Sequence, residues 1–165
     1  MLRSIRWILG AAAFVVAGSA HAADVKITGV HNCCGQCAKA IQTTLEGAGA
    51  TNIMVSKGDI SFTAEDAKKA VDALYGAGYA GKLPQGTRAP ASGAQGVKGK
   101  EIKVEGTHNC CPACAKALNE ALAPVGKATV KPKDTAITVT SDNEIEARAV
   151  VTALRNAGFN VKVTK

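Results

Sequence analysis

Aromatic residues are scarce: one Trp, two Tyr and three Phe make up 4% of the 165 residues. A stacking platform for single-stranded nucleic acid needs several exposed rings, so that class is excluded. The sequence also lacks a zinc-finger pattern, a phosphate-binding glycine loop and a dinucleotide glycine fingerprint. No general base and no nucleophile–base pair stands out, so no catalytic turnover is expected. Charge is uneven without being concentrated. Lys and Arg total 20 against 13 Asp and Glu, a formal net charge of +7 that is modest and scattered. Such a surface favours solubility over nucleic-acid binding. Hydrophobic residues at 47% are ordinary for a globular chain and too frequent for a disordered one. What remains distinctive is six cysteines, all in two short clusters.

The first residues read as an export signal. Arg3 and Arg6 give a positive start, and Trp7 to Gly18 is apolar and uncharged. Ser19-Ala20-His21-Ala22 ends in a small-x-small pattern, which places cleavage after Ala22. The apolar run is short for a bilayer-spanning anchor, and no Cys follows the cleavage point to carry a lipid. A bacterial periplasm is the expected destination, with no membrane span left after cleavage. That compartment oxidises exposed thiols, so six cysteines need a chemical reason to be there.

The chain repeats itself. Asp24-Val25-Lys26-Ile27-Thr28-Gly29 matches Glu101-Ile102-Lys103-Val104-Glu105-Gly106. At the same offset His31-Asn32-Cys33-Cys34 falls on His108-Asn109-Cys110-Cys111, and Cys37-Ala38-Lys39-Ala40 on Cys114-Ala115-Lys116-Ala117. After a short insertion in the second copy, Ala77-Gly78-Tyr79 aligns with Ala157-Gly158-Phe159. The division is therefore a signal over residues 1–22, a first domain over 23–84, a flexible Gly/Pro/Ala/Ser-rich linker over 85–99 and a second domain over 100–165.

Each copy carries the same local signals. Val25 and Ile27, like Ile102 and Val104, alternate with polar residues as in a strand. Cys37, Ile41, Leu45 and Ala48 recur at helical spacing, as do Cys114, Leu118, Leu122 and Val125. Ile53 and Val55, then Ile60 and Phe62, suggest two strands around a turn near Lys57-Gly58. Ala67, Ala70, Val71, Leu74 and Ala77 form a second helix, ended at Gly78. A last strand is clearer at Val161 and Val163 than at Leu83. The expected fold class is α+β, two tandem ferredoxin-like βαββαβ domains. Pro132 suits the end of the second strand, an edge of that fold.

The clusters read HNCCGQC and HNCCPAC, between the first strand and the first helix of each copy. With Cys34 or Cys111 as helix cap, Gly35 or Pro112 becomes the first helical residue, where Pro is well tolerated. Cys37 or Cys114 then lies in the first turn. The helix dipole there should depress thiol pKa values. Two thiolates three residues apart can converge on one ion, and sulfur selects Cu(I), Zn(II) and thiophilic ions such as Hg(II). Cys33 or Cys110 can complete a trigonal site, and His31 or His108 can supply a nitrogen or support from behind the ligands.

These motifs resemble the heavy-metal-associated domain, the module of copper chaperones, copper-pump N-termini and periplasmic mercury scavengers. That family carries Gly-Met-x-Cys-x-x-Cys before its first helix, with apolar residues four and eight positions after the second Cys. Cys34-Gly35-Gln36-Cys37 with Ile41 and Leu45 fits, as does Cys111-Pro112-Ala113-Cys114 with Leu118 and Leu122. The resemblance implies metal binding by Cys34 and Cys37, and by Cys111 and Cys114. It also implies that Tyr79 and Phe159 lie near the metal loops and shield them. Two features depart from the family. Asn32 and Asn109 stand where it has Met, and the loops are longer, with Cys33 and Cys110 added.

The expectation is an exported soft-metal binder, with Cu(I) favoured, Hg(II) second and Zn(II) third. It would transfer or sequester metal by ligand exchange and pass it to a membrane metal transporter or another metallochaperone. Two rival readings accompany it. A Cys-x-x-Cys at a helix start also serves thiol–disulfide redox proteins, but their larger βαβ-type pattern is missing. A disulfide-stabilised binding module without metal would leave one of three cysteines unpaired in each copy, and a Cys34–Cys37 bridge closes too small a loop to stabilise much. Asn32 and Asn109 are expected to shape the turn through unusual backbone angles. Lys39 and Lys116 are expected to be solvated helix positions.

Overall fold

The computed structural model describes residues 22–164. The expected export segment, with Arg3, Arg6 and the apolar run from Trp7, lies outside the described residues. In the first unit β1 (Ala23–Thr28) turns Val25 and Ile27 inward and leaves Asp24 and Lys26 exposed, as the two-residue period of a strand requires. α1 (Gly35–Gly47) buries Cys37, Ile41 and Leu45, one residue per turn along a single stripe. β2 (Thr51–Val55) and β3 (Asp59–Ala64) form a hairpin, and β3 buries Ile60, Phe62 and Ala64. α2 (Ala67–Gly76) starts at Asp66, whose carboxylate accepts the Lys69 N–H at 2.8 Å. The sheet is antiparallel in the order β1-β3-β2. Val25 stands opposite Phe62 and Ile27 opposite Ile60, so one apolar face meets both helices.

The second unit repeats the plan with β4 (Lys98–Glu105), α3 (Pro112–Leu122), β5 (Ala136–Glu146), α4 (Ala147–Asn156) and β6 (Lys162–Thr164). Its sheet is antiparallel in the order β5-β4-β6. α3 buries Cys114, Leu118 and Leu122, and α4 buries Ala147, Val150, Val151 and Leu154 against the sheet. The chain is thus two small α+β units, each with a three-stranded antiparallel sheet and two helices.

Among the described residues neither unit completes a four-stranded sheet, for a different reason in each. In the first, the expected last strand is a single bridge between Thr28 and Lys82, with backbone bonds of 3.2 and 2.7 Å. Pro84 follows, and it has no N–H to extend the ladder. In the second, the expected second strand is reduced to a bridge between Lys127 and Thr140. The Asn119 side chain takes both backbone groups of Val130 that a strand would pair, donating to its C=O and accepting from its N–H at 2.9 Å each. Beyond Pro132, Lys133 sits at a φ of +74°. β5 compensates by running on to Glu146, which stands opposite Lys98.

The stretch expected to link the units lies against the second one. Ala94 is buried, the Ser92 C=O accepts the Val163 N–H at 2.8 Å, and the Arg155 guanidinium donates to the Pro90 C=O at 2.9 Å. β4 begins within it, at Lys98.

The two units meet through the turns that follow α2 and α4. Tyr79 and Phe159 form an antiparallel bridge, with the Ala80 N–H donating to the Gly158 C=O at 3.0 Å and the Asn160 N–H to the Gly78 C=O at 2.8 Å. The exchange is reciprocal, so the repeats are related by an approximate two-fold axis. Gly78 and Gly158 both adopt a φ of +89°. A β-carbon on Gly78 would stand 2.2 Å from the His108 backbone nitrogen, and one on Gly158 equally close to that of His31. Only glycine allows both the backbone angle and the approach. Each cysteine loop is therefore seated on the partner repeat's glycine.

Candidate metal centre

The loop-to-helix junctions form as the residue order predicts. Cys34 and Cys111 are the N-cap residues of α1 and α3, with extended backbones, and Gly35 and Pro112 open the helices. The backbone amides of Cys37 and Gln36 beside the Cys34 sulfur lower its pKa. Those of Cys114 and Ala113, with the Cys33 thiol, take Cys111 down to about 7. Three thiols depart from the expected depression. Burial pushes Cys33, Cys110 and Cys114 up instead. The sulfurs in the capping positions face the free amide groups of the first turn, which is where the helix end favours a thiolate.

The asparagines that precede each pair of adjacent cysteines hold the loops through their side chains. Asn109 is buried and its amide donates to the Lys131 and Asp134 carbonyls at 2.7 and 3.0 Å. Asn32 donates to the Ser56 carbonyl at 3.2 Å. Neither is among the non-glycine residues with positive φ, which among the described residues are Asn52 and Lys133. The expected role of unusual backbone angles at Asn32 and Asn109 is therefore corrected: an amide clamps each loop to the segment after the first helix.

All six cysteines carry free thiols, and the structure brings them into one group. Within the loops, Cys34 and Cys37 are 3.7 Å apart at sulfur, as are Cys111 and Cys114. Between the loops the approach is similar, and three of the four contacts are closer. Cys33 lies 3.4 Å from Cys111 and 3.5 Å from Cys114, and Cys110 lies 3.4 Å from Cys37 and 4.0 Å from Cys34. Cys37 and Cys114 are buried at the base, and Cys33 is exposed at the rim. In the sequence the clusters read as two separate sites; the docking of the two units makes them neighbours.

Two imidazoles back the sulfurs. The Nδ1–H of His108 donates to the Gly78 carbonyl at 3.0 Å, because a carbonyl can only accept. That bond fixes the tautomer and leaves Nε2 as a lone pair, buried and without a hydrogen-bond partner. A ring nitrogen of His108 lies within 4.8 Å of the Cys37 and Cys114 sulfurs. His31 Nε2 is likewise buried without a partner, and a ring nitrogen of His31 is within 4.8 Å of the Cys33 and Cys114 sulfurs. Burial lowers both histidine pKa values, that of His108 to about 4, so both rings are neutral near pH 7 and able to ligate.

The aromatics cross between repeats. Tyr79 stacks on His108 with ring centroids 3.9 Å apart, and Phe159 on His31 at 4.3 Å. Each therefore covers the histidine of the other copy's loop. The Tyr79 hydroxyl also donates to the Cys37 carbonyl at 3.5 Å. Burial, and then the charge of neighbouring thiolates, raises its pKa and keeps the phenol protonated. Lys39 is exposed, and Lys116 pairs at 3.8 Å with Glu120 on the same helix, so both are solvated positions. Sequence reasoning missed Gly78 and Gly158 as docking residues. Their repetition before Tyr79 and Phe159 was visible, but a glycine after a helix reads first as a helix stop.

Six soft sulfurs and two neutral nitrogens with no hydrogen-bond partner at Nε2 form a donor set that can hold a metal ion. No protein-family model matches the chain, and a search of curated proteins returns no relative.

Proposed function

We propose that the protein is an exported soft-metal-binding protein built from two variant heavy-metal-associated domains on a ferredoxin-like plan. Its cargo is Cu(I) ahead of Hg(II) and Zn(II), bound for transfer or sequestration. The observation that carries this reading is the convergence of six free thiols from two loops, with sulfur separations down to 3.4 Å. Thiolates packed this closely repel one another, and a soft cation among them relieves the repulsion and releases the thiol protons. The chain supports this chemistry in three ways. Capping positions keep Cys34 and Cys111 readily deprotonated, buried Cys37 and Cys114 hold the base of the site, and exposed Cys33 is the point of contact for an incoming donor. Cargo would move by ligand exchange, one thiolate at a time, to or from a membrane metal transporter or another metallochaperone.

The test is the metal content of protein taken from its native compartment, with anaerobic Cu(I) titration of the fully reduced chain followed by mass spectrometry. Retained Cu(I), displaced only by a strong chelator, is the expected result. A protein that holds no Cu(I), Hg(II) or Zn(II) after complete reduction overturns the reading. A second reading, thiol–disulfide exchange, is favoured by the pKa of about 7 at Cys111. Insulin reduction above background would support it, and none is expected.

A further inference from the structure

We propose that the centre holds two trigonal ions, each bound by the Cys-x-x-Cys pair of one repeat and the additional cysteine of the other. The inference rests on the soft-metal reading above and specifies which sulfurs share an ion. One triangle is Cys111, Cys114 and Cys33, with edges of 3.7, 3.4 and 3.5 Å. The other is Cys34, Cys37 and Cys110, with edges of 3.7, 3.4 and 4.0 Å. The approximate two-fold axis that exchanges the repeats exchanges these triangles.

Metal–sulfur bonds of about 2.3 Å in a planar trigonal site set the sulfurs about 4 Å apart. Both crossed triangles lie at or slightly inside that spacing, so an ion of this size fits with small outward movements. Larger thiophilic ions need wider triangles, which places Cu(I) ahead of Hg(II). The alternative gives each loop its own three sulfurs. In that arrangement Cys33 and Cys110 lie 3.7 Å from their own loop's Cys37 and Cys114, a spacing that an ion also accepts, but the nearest sulfur to each added cysteine belongs to the other loop, at 3.4 Å. The crossed arrangement also gives the added cysteine a purpose, since it completes a two-sulfur site in the partner repeat. Loading exchanges the donor's ligands on each Cu(I) for three thiolates. The thiol protons pass to water or to the departing ligands, and copper does not change oxidation state.

The experiment removes one pair and asks which remaining sulfur matters. In the full chain, Cys34→Ser with Cys37→Ser leaves Cys33, Cys110, Cys111 and Cys114. This variant should retain one Cu(I) in a three-sulfur environment by X-ray absorption. Adding Cys33→Ser should reduce the sulfur count to two and weaken Cu(I) in competition with a chelator by about tenfold or more. Adding Cys110→Ser should change neither reading. The reverse result, or equal losses, overturns the crossed assignment and leaves soft-metal binding intact. A wild-type chain that binds no metal defeats the functional reading itself. The mirror set provides a second route if the first variants fold poorly. On a background of Cys111→Ser with Cys114→Ser, Cys110→Ser should weaken binding and Cys33→Ser should not.

Discussion

Asn32 and Asn109 occupy equivalent places in the repeats, yet their side chains carry unequal loads. The Asn109 amide is buried and satisfies two carbonyls, whereas Asn32 makes one longer bond at a more exposed position. Truncating a buried donor strands its acceptors, so Asn109→Ala should cost about 1 to 3 kcal/mol in urea unfolding. Asn32→Ala should stay within about 1 kcal/mol, because water can replace the lost partner. Equal losses would show that the second loop is not held by its amide. The position of both asparagines beside the cysteines was legible in the sequence, and so was a role in shaping the loop. The mode was not. Asn serves a turn either through its backbone or through its amide, and only the placement of Lys131 and Asp134 against Asn109 selects the second.

Helices were the most legible elements. The apolar spacing of Cys37, Ile41 and Leu45 and the place of Cys34 before Gly35 gave α1 its face and its start, and α3 repeats both. The repeats differ at the first helical residue, Gly35 against Pro112. A β-carbon on Gly35 meets nothing within 4 Å, and the N–H of a first helical residue has no partner inside the helix. Gly35→Pro should therefore raise stability by about 0.4 to 1 kcal/mol, through a less flexible unfolded chain, and should leave metal stoichiometry unchanged. Thermal unfolding of the two proteins decides it, and a lower midpoint for the variant would count against the helix start at this residue. Strands were less legible because their partners are distant in sequence. Val130 reads as strand in any local window, and its backbone is nevertheless taken by Asn119, a residue whose helical position gives no hint of that bond.

At the scale of the whole molecule, the repeat announced two units but not their docking, because the determining feature is a missing side chain. Gly78→Ala adds a left-handed alanine, worth about 1 to 2 kcal/mol, and forces a β-carbon onto the His108 backbone. Gly86→Ala carries the same angle penalty at φ +87° with open space around it. The Gly78 variant should lose clearly more stability and show a larger radius of gyration by small-angle scattering. Similar behaviour in the two variants would mean that the approach at Gly78 does not hold the units together. The same docking determines what oxidation of the metal-free protein should produce. A bridge from Cys33 to Cys111 spans a sequence separation of 78 and closes a loop worth about 4 to 5 kcal/mol of unfolded-state entropy, whereas Cys34–Cys37 closes a short loop worth about 2 kcal/mol. Sulfur separations of 3.4 Å between loops against 3.7 Å within them also favour the crossed bond. Mild oxidation followed by peptide mapping should therefore recover linked peptides from the two repeats, with a raised unfolding midpoint that reduction reverses. Bound Cu(I) should suppress the linkage, since each thiolate's lone pair is then committed to metal. Peptide maps containing only Cys34–Cys37 and Cys111–Cys114 pairs would show that the loops act apart.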